Sequence, residues 1–142
     1  MAEKVVTKIS SQLVGNMGLY YTCFELSKRG WNAMPTSRNA RGIDIMIYSQ
    51  DAKRKHAIQI KSLTKRSPVP LGNKIEESSL FLADYLIIVR NMMKAPEVFI
   101  MTPGNIRAEV HERRNDKGLL SYWLQPRCYE KFKDNLGLIG NG

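Results

Sequence analysis

The stretch that most constrains this chain is Gly42 to Ser62, reading GIDIMIYSQDAKRKHAIQIKS. Two alternating runs, Ile43–Tyr48 and His56–Ser62, flank a polar, basic turn over Gln50–Lys55. In extended chain, successive side chains take opposite faces. Ile43, Ile45 and Ile47 therefore share one face of the first strand, and Asp44, Met46 and Tyr48 the other. In the second strand Ile58 and Ile60 share a face, opposite Ala57, Gln59 and Lys61. A turn symmetric about Ala52–Lys53 sets Asp44 across from Lys61. A register two residues away sets Asp44 across from Gln59 and keeps the face. In both, a carboxylate, an amide and an ammonium converge on one side of a two-stranded ribbon.

The rest of the chain supplies elements around this hairpin. Ser10 or Ser11 caps a helix in which Leu13, Val14, Met17, Tyr20, Tyr21, Phe24 and Leu26 mostly follow helical spacing. Lys28-Arg29-Gly30 is a helix-ending signal. Gly15 and Gly18 weaken that helix, which points to close packing against a sheet. Trp31–Thr36 reads as a short strand, and Leu63–Gly72, with Pro68 and Pro70, as a basic loop. Asn73–Leu82 reads as a helix, Tyr85–Val89 as a buried strand and Val98–Met101 as another strand. Thr102-Pro103 opens a helix running to about His111. Asn115–Gly118 is a turn, Ser121–Leu124 a strand, and Pro126 opens a final helix through Tyr129, Phe132 and Leu136. Helices interleaved with a mixed sheet give an α/β sandwich, and 142 residues without a long linker make one domain.

Charge bears on partners. The net charge of +9 favours polyanions, nucleic acid before an anionic membrane surface. Seven Lys or Arg and no Asp or Glu fall between Lys53 and Lys74. No apolar run approaches the ~20 residues that span a bilayer, and the first residues lack a signal-peptide pattern. The chain reads as a cytoplasmic protein without membrane contact. Cys23 and Cys128, far apart, read as reduced thiols, and two histidines give no zinc pattern.

The hairpin resembles the active-site core of the PD-(D/E)XK nuclease superfamily. In that family an Asp opens the second core strand, and an acidic residue and a Lys one position apart lie on the third. Asp44 matches the first, and Gln59-Ile60-Lys61 the second, with Gln for the acid as in Mrr-type restriction nucleases. The resemblance also extends to small nucleases similar to Holliday-junction resolvases. It implies a restriction-endonuclease-like αβββαβ core, a central mixed sheet flanked by helices, over about residues 10–91, with residues 92–142 as an elaboration. It implies a metal-dependent endonuclease acting on DNA in preference to RNA, with Mg²⁺ or Mn²⁺ held by Asp44, Gln59 and the backbone carbonyl of Ile60. Lys61 is then the catalytic ammonium, beside Asp44 and Gln59.

Two departures stand out. Ile43 replaces the proline before the Asp, and Asn16 or Leu19 stands where the family often has an acid on the first helix. Glu76, Glu77 or a partner subunit could supply a second carboxylate. Arg38, Asn39, Arg41, Lys53, Arg54, Lys55, Lys65 and Arg66 are candidates for nucleic-acid contact. Tyr122 and Trp123 could stack on bases, with a packed core role for at least one of them. His56 reads as a surface or edge histidine, and His111 as solvent-facing. Three functions stay open on these residues: a nuclease, a nucleic-acid-binding module with a decayed site, and a protein-interaction domain with a basic face. A homodimer fits the first, since a duplex has two strands to cut.

Overall fold

A computed structural model describes residues 8–37, 42–73, 82–133 and 135–142. The chain opens with α1 (Ser11–Lys28), whose N-cap Ser10 accepts a hydrogen bond from Leu13 N–H through its Oγ at 3.3 Å. The helix ends at Arg29, followed by Gly30 at φ 88°. Five strands then form the main sheet: β1 (Asn32–Pro35), β2 (Ile45–Tyr48), β3 (Lys55–Leu63), β5 (Tyr85–Arg90) and β6 (Glu97–Met101). Their spatial order is β1-β2-β3-β5-β6, with β3 and β5 parallel and the other pairs antiparallel. A second sheet holds β4 (Val69–Gly72), β8 (Leu120–Leu124) and β7 (His111–Arg114) in the order β4-β8-β7. Two short helices, α2 (Pro103–Glu109) and α3 (Pro126–Tyr129), complete the layers.

The main sheet has a core on each face. On one, Ile45, Ile47, Ile58, Ile87 and Val89 pack with Leu26 and Trp31. On the other, Leu86, Ile88, Phe99 and Met101 pack with Val69, Leu71, Leu124 and Tyr129. That is why Tyr85–Val89 reads as a continuous apolar run: β5 is covered on both sides. Helix α1 covers the first face, whereas the other is covered mainly by the second sheet.

Buried residues of α1 are Val14, Gly18, Thr22 and Leu26, at four-residue intervals. Leu13, Tyr20 and Phe24, expected on the packed stripe, are exposed. The packed row is small because the helix lies close to β3: a Cβ on Gly18 would overlap the Ser62 side chain. Thr22 in turn donates its hydroxyl to Gly18 O at 2.7 Å. Gly15 departs from the packing expectation, since a Cβ there meets nothing within 4 Å.

Three further elements differ from the sequence reading. The basic loop Leu63–Gly72 ends in β4, where Pro70 is tolerated because β4 is an edge strand. His111–Arg114 is the exposed strand β7 rather than a helix end. The final helix is broken after Tyr129 into two 3₁₀ turns, Glu130–Phe132 and Asn135–Leu138. The break follows a fixed point. Arg90, 6% exposed, pairs with Glu97 (3.2 Å) and Glu130 (2.8 Å) and lies 4.7 Å over the Phe99 ring. Tyr129 donates its hydroxyl to Ser67 O at 2.7 Å. The proposed helix over Asn73–Leu82, with Glu76 and Glu77, lies almost wholly outside the described residues.

Candidate active site

Asp44 lies one residue before β2. Its N–H donates to Ile58 O at 2.9 Å, and its Oδ2 accepts from Ile60 N–H at 2.7 Å. These two bonds straddle Gln59. In the ladder Ile45 faces Ile58 and Tyr48 faces Lys55. Asp44 therefore sits beside Gln59 and not across from Lys61, the second of the two registers. The turn decides this. Asp51 Oδ1 accepts from Ser49 Oγ (2.5 Å) and Lys53 N–H (3.0 Å), and Ala52 takes the left-handed region at φ 60°. The reversal is centred between Asp51 and Ala52, one position before the symmetric expectation.

Strand β2 stops at Ile45, while β3 runs on to Leu63. Beyond Gln59 the β3 edge has no β2 backbone beside it, and the Asp44 carboxylate serves Ile60 N–H instead. A cavity of about 360 Å³ opens at this edge. Asp44, Ile60, Lys61 and Ser62 line it from the sheet, and Ser11, Gly15, Asn16 and Leu19 from α1. Thr36, Ser37, Gly42 and Ile43 complete it, with Thr36 donating its hydroxyl to Ile43 O. Burial pushes the Asp44 carboxyl above its ordinary range, opposed by the Ile60 hydrogen bond and the Lys61 charge.

The two helix positions where the family often carries an acid, Asn16 and Leu19, do face this cavity. Asp44 is the one carboxylate among its lining residues. Gln59 does not line it. It is 8% exposed, and its Oε1 is buried without a hydrogen-bond partner among the described residues. An orphaned buried oxygen costs about 1–3 kcal/mol and calls for a partner. No group of three or more His, Cys, Asp or Glu among the described residues could hold a metal. One carboxylate with neutral oxygens nonetheless fits a hard cation that keeps most of its waters, as Mg²⁺ does.

The basic candidates divide. Lys65 is exposed just past the Lys61 end of β3. Arg66, exposed, pairs with Glu130 at 2.8 and 3.1 Å. Lys53, Arg54 and Lys55 are exposed at the opposite end of the hairpin, roughly 16 Å from Asp44 at ~3.3 Å per residue. Arg54 lies 5.1 Å over the Trp31 ring. Arg38, Asn39 and Arg41 lie outside the described residues, but Ser37 and Gly42 on either side of that stretch both line the cavity. His56 stacks edge-on between Trp31 and Tyr85, each at 5.4 Å, a packing role. The hydroxyls of Ser11, Thr36 and Ser62 carry no sequence signal, because three separate elements bring them to the cavity.

No protein-family profile matches this chain, and no curated protein matches it. Among solved structures it is similar to the Holliday junction resolvase Hjc of the archaeal hyperthermophile Archaeoglobus fulgidus. That match has a TM-score of 0.58 at 16% identity over 85% of this chain and 99% of that one. It is also similar to a bacterial homing endonuclease, with a TM-score of 0.64 at 13% identity over 92% and 93% of the two chains. Among the described residues no helix is long and apolar enough to cross a membrane. With a mixed central sheet and an Asp–(Gln-x-Lys) hairpin in place, the chain has the restriction-endonuclease-like fold, the fold of the PD-(D/E)XK nucleases that its hairpin resembles.

Proposed function

We propose that this chain is a metal-dependent endonuclease that hydrolyses phosphodiester bonds, in DNA rather than RNA. The observation that carries the reading is Asp44: a half-buried carboxylate, hydrogen-bonded to the Ile60 backbone, in one cavity with Lys61 on a nuclease fold. Asp44 and the Ile60 carbonyl would hold Mg²⁺ or Mn²⁺ at the cavity, and Gln59 Oε1, buried without a hydrogen-bond partner among the described residues, would join them once its side chain turns toward the edge. When bound, the cation supplies Lewis-acid stabilisation of charge developing on the phosphate. Lys61 donates to a phosphate oxygen and orients the attacking water. The Ile60 N–H fixes the Asp44 carboxylate so that its second oxygen is aimed before substrate arrives. A homodimer suits a duplex substrate, one site per strand.

A second reading has its own support. The single carboxylate among the cavity's lining residues favours a binding module with a decayed site. The deciding experiment titrates Mg²⁺ and Mn²⁺ into protein mixed with duplex, branched and single-stranded DNA and with RNA. Cleavage that falls at least about 10²–10³-fold in Asp44→Ala and in Lys61→Ala supports the nuclease. Salt-sensitive binding without cleavage supports the decayed module.

A further inference from the structure

The outward face of the second sheet carries chemistry that the catalytic reading leaves unused. In β8, Tyr122 and Leu124 turn toward the second core. By alternation Ser121 and Trp123 turn away from it. Pairing sets Pro70 of β4 and His111 of β7 on the two sides of Trp123, and Arg113 beside Ser121. All four residues of β7 are exposed.

Trp123 is only half-buried, yet its ring is fixed. Its Nε1–H donates to Ser121 Oγ at 2.9 Å, and Ser121 Oγ donates to Arg113 O at 3.3 Å. The polar group of the indole is thus satisfied within its own ribbon, and the ring is held along the strand. A cavity of about 340 Å³ opens beside it, lined by Arg113, Arg114, Asn115, Asp116, Ser121 and Trp123. A pinned ring with a guanidinium on the same face is the arrangement that stacks an unpaired base and holds its neighbour. An apolar patch of one indole and one proline is small for a protein interface core, and the chain's +9 charge selects a polyanion.

We propose that the outward face of the β7–β8 ribbon is a platform for single-stranded nucleic acid, with an unpaired base stacked on Trp123 and Arg113 contacting the adjoining nucleotide. The proposal rests on the nucleic-acid reading above and extends it. The second sheet packs on the main-sheet face opposite α1, through Val69, Leu71 and Leu124.

The test uses intrinsic fluorescence, because the two tryptophans differ. Trp31 is 2% exposed, and Trp123 is accessible. Oligothymidylate and a duplex of equal length are titrated in EDTA, which prevents cleavage, and affinities are read in parallel from labelled strands. Quenching of the wild type by the single strand is expected. Trp123→Ala weakens single-strand binding about 5- to 150-fold and leaves duplex binding within about twofold. Trp123→Phe, which keeps a stacking ring, retains most of it, and Arg113→Ala weakens it. Should Trp123→Ala fail to fold, wild-type quenching and the Phe and Arg113 variants decide. A wild type that binds single strands without quenching, or Trp123→Ala and Arg113→Ala variants that bind them as the wild type does, overturns the platform alone. A wild type that binds no nucleic acid overturns the function reading, and the platform with it.

Discussion

Gly18→Ala tests how α1 is seated over the edge of β3. Alanine should stabilise the helix by about 1 kcal/mol over glycine. At this position, however, the new Cβ overlaps Ser62 Oγ and comes within 2.9 Å of Ser62 Cβ. The hydroxyl can rotate away, but the Cβ is fixed by the β3 backbone. Ordinary carbon contacts lie near 3.5–4.0 Å, so α1 must back away from the sheet by about half an ångström or more. Overpacking of this kind costs about 1–3 kcal/mol, which matches or exceeds the helical gain. In a Ser62→Gly background both contacts vanish and only the gain remains. A double-mutant cycle by urea unfolding should therefore give a coupling of about 1–3 kcal/mol between the two positions. Gly15→Ala, where nothing lies within 4 Å, should simply stabilise by about 1 kcal/mol. A Gly18–Ser62 coupling below about 0.5 kcal/mol would show that the helix is not held at this distance, and the reasoning would fail.

Other consequences follow from the charges. Arg66 and then Arg90 pull the Glu130 carboxyl down to about 2. A depressed acid contributes stability that is present above its ordinary value, 4.5, and is lost as pH falls toward 2. Glu130→Gln should therefore have a lower urea midpoint than the wild type at pH 6, with the gap closing near pH 2. Asp44 has the opposite sign: its raised value means that ionisation costs stability as pH rises above 3.8. Asp44→Asn should melt higher than the wild type at pH 7 and alike below pH 3.8, while losing cleavage; equal melting at pH 7 would contradict the burial cost. Asn16→Glu puts a second carboxylate on the cavity wall. Mn²⁺ binding, followed by calorimetry, should tighten on the order of tenfold, and an unchanged affinity would mean that the α1 wall does not face the cation.

The faces of the hairpin were legible because they rest on a short-range pattern. The alternation in Ile43–Tyr48 and His56–Ser62 assigns Asp44, Gln59 and Lys61 to one side whatever the register. The Ser10 cap and the Lys28-Arg29-Gly30 stop bound α1 for equally local reasons. The stripe on that helix was misread because it has apolar residues on both sides, and burial went to the small residues Gly18 and Thr22 that permit a close approach. Strand β4 was hidden by Pro70, which excludes a central strand but not an edge. The partner of Arg66, Glu130, lies 64 residues away, beyond the reach of any local pattern.

Local pattern was enough for the faces of the hairpin, the bounds of the first helix, the burial of Leu86–Val89 and the strong positive charge. These depend on the geometry of a strand or a helical turn, which a few neighbouring residues encode. Tertiary structure decided the register that sets Asp44 beside Gln59, the cavity between α1 and the β3 edge, the second sheet and the Arg90 cluster. Each of these joins backbone or side chains far apart along the chain, and only packing two cores against one sheet brings them together.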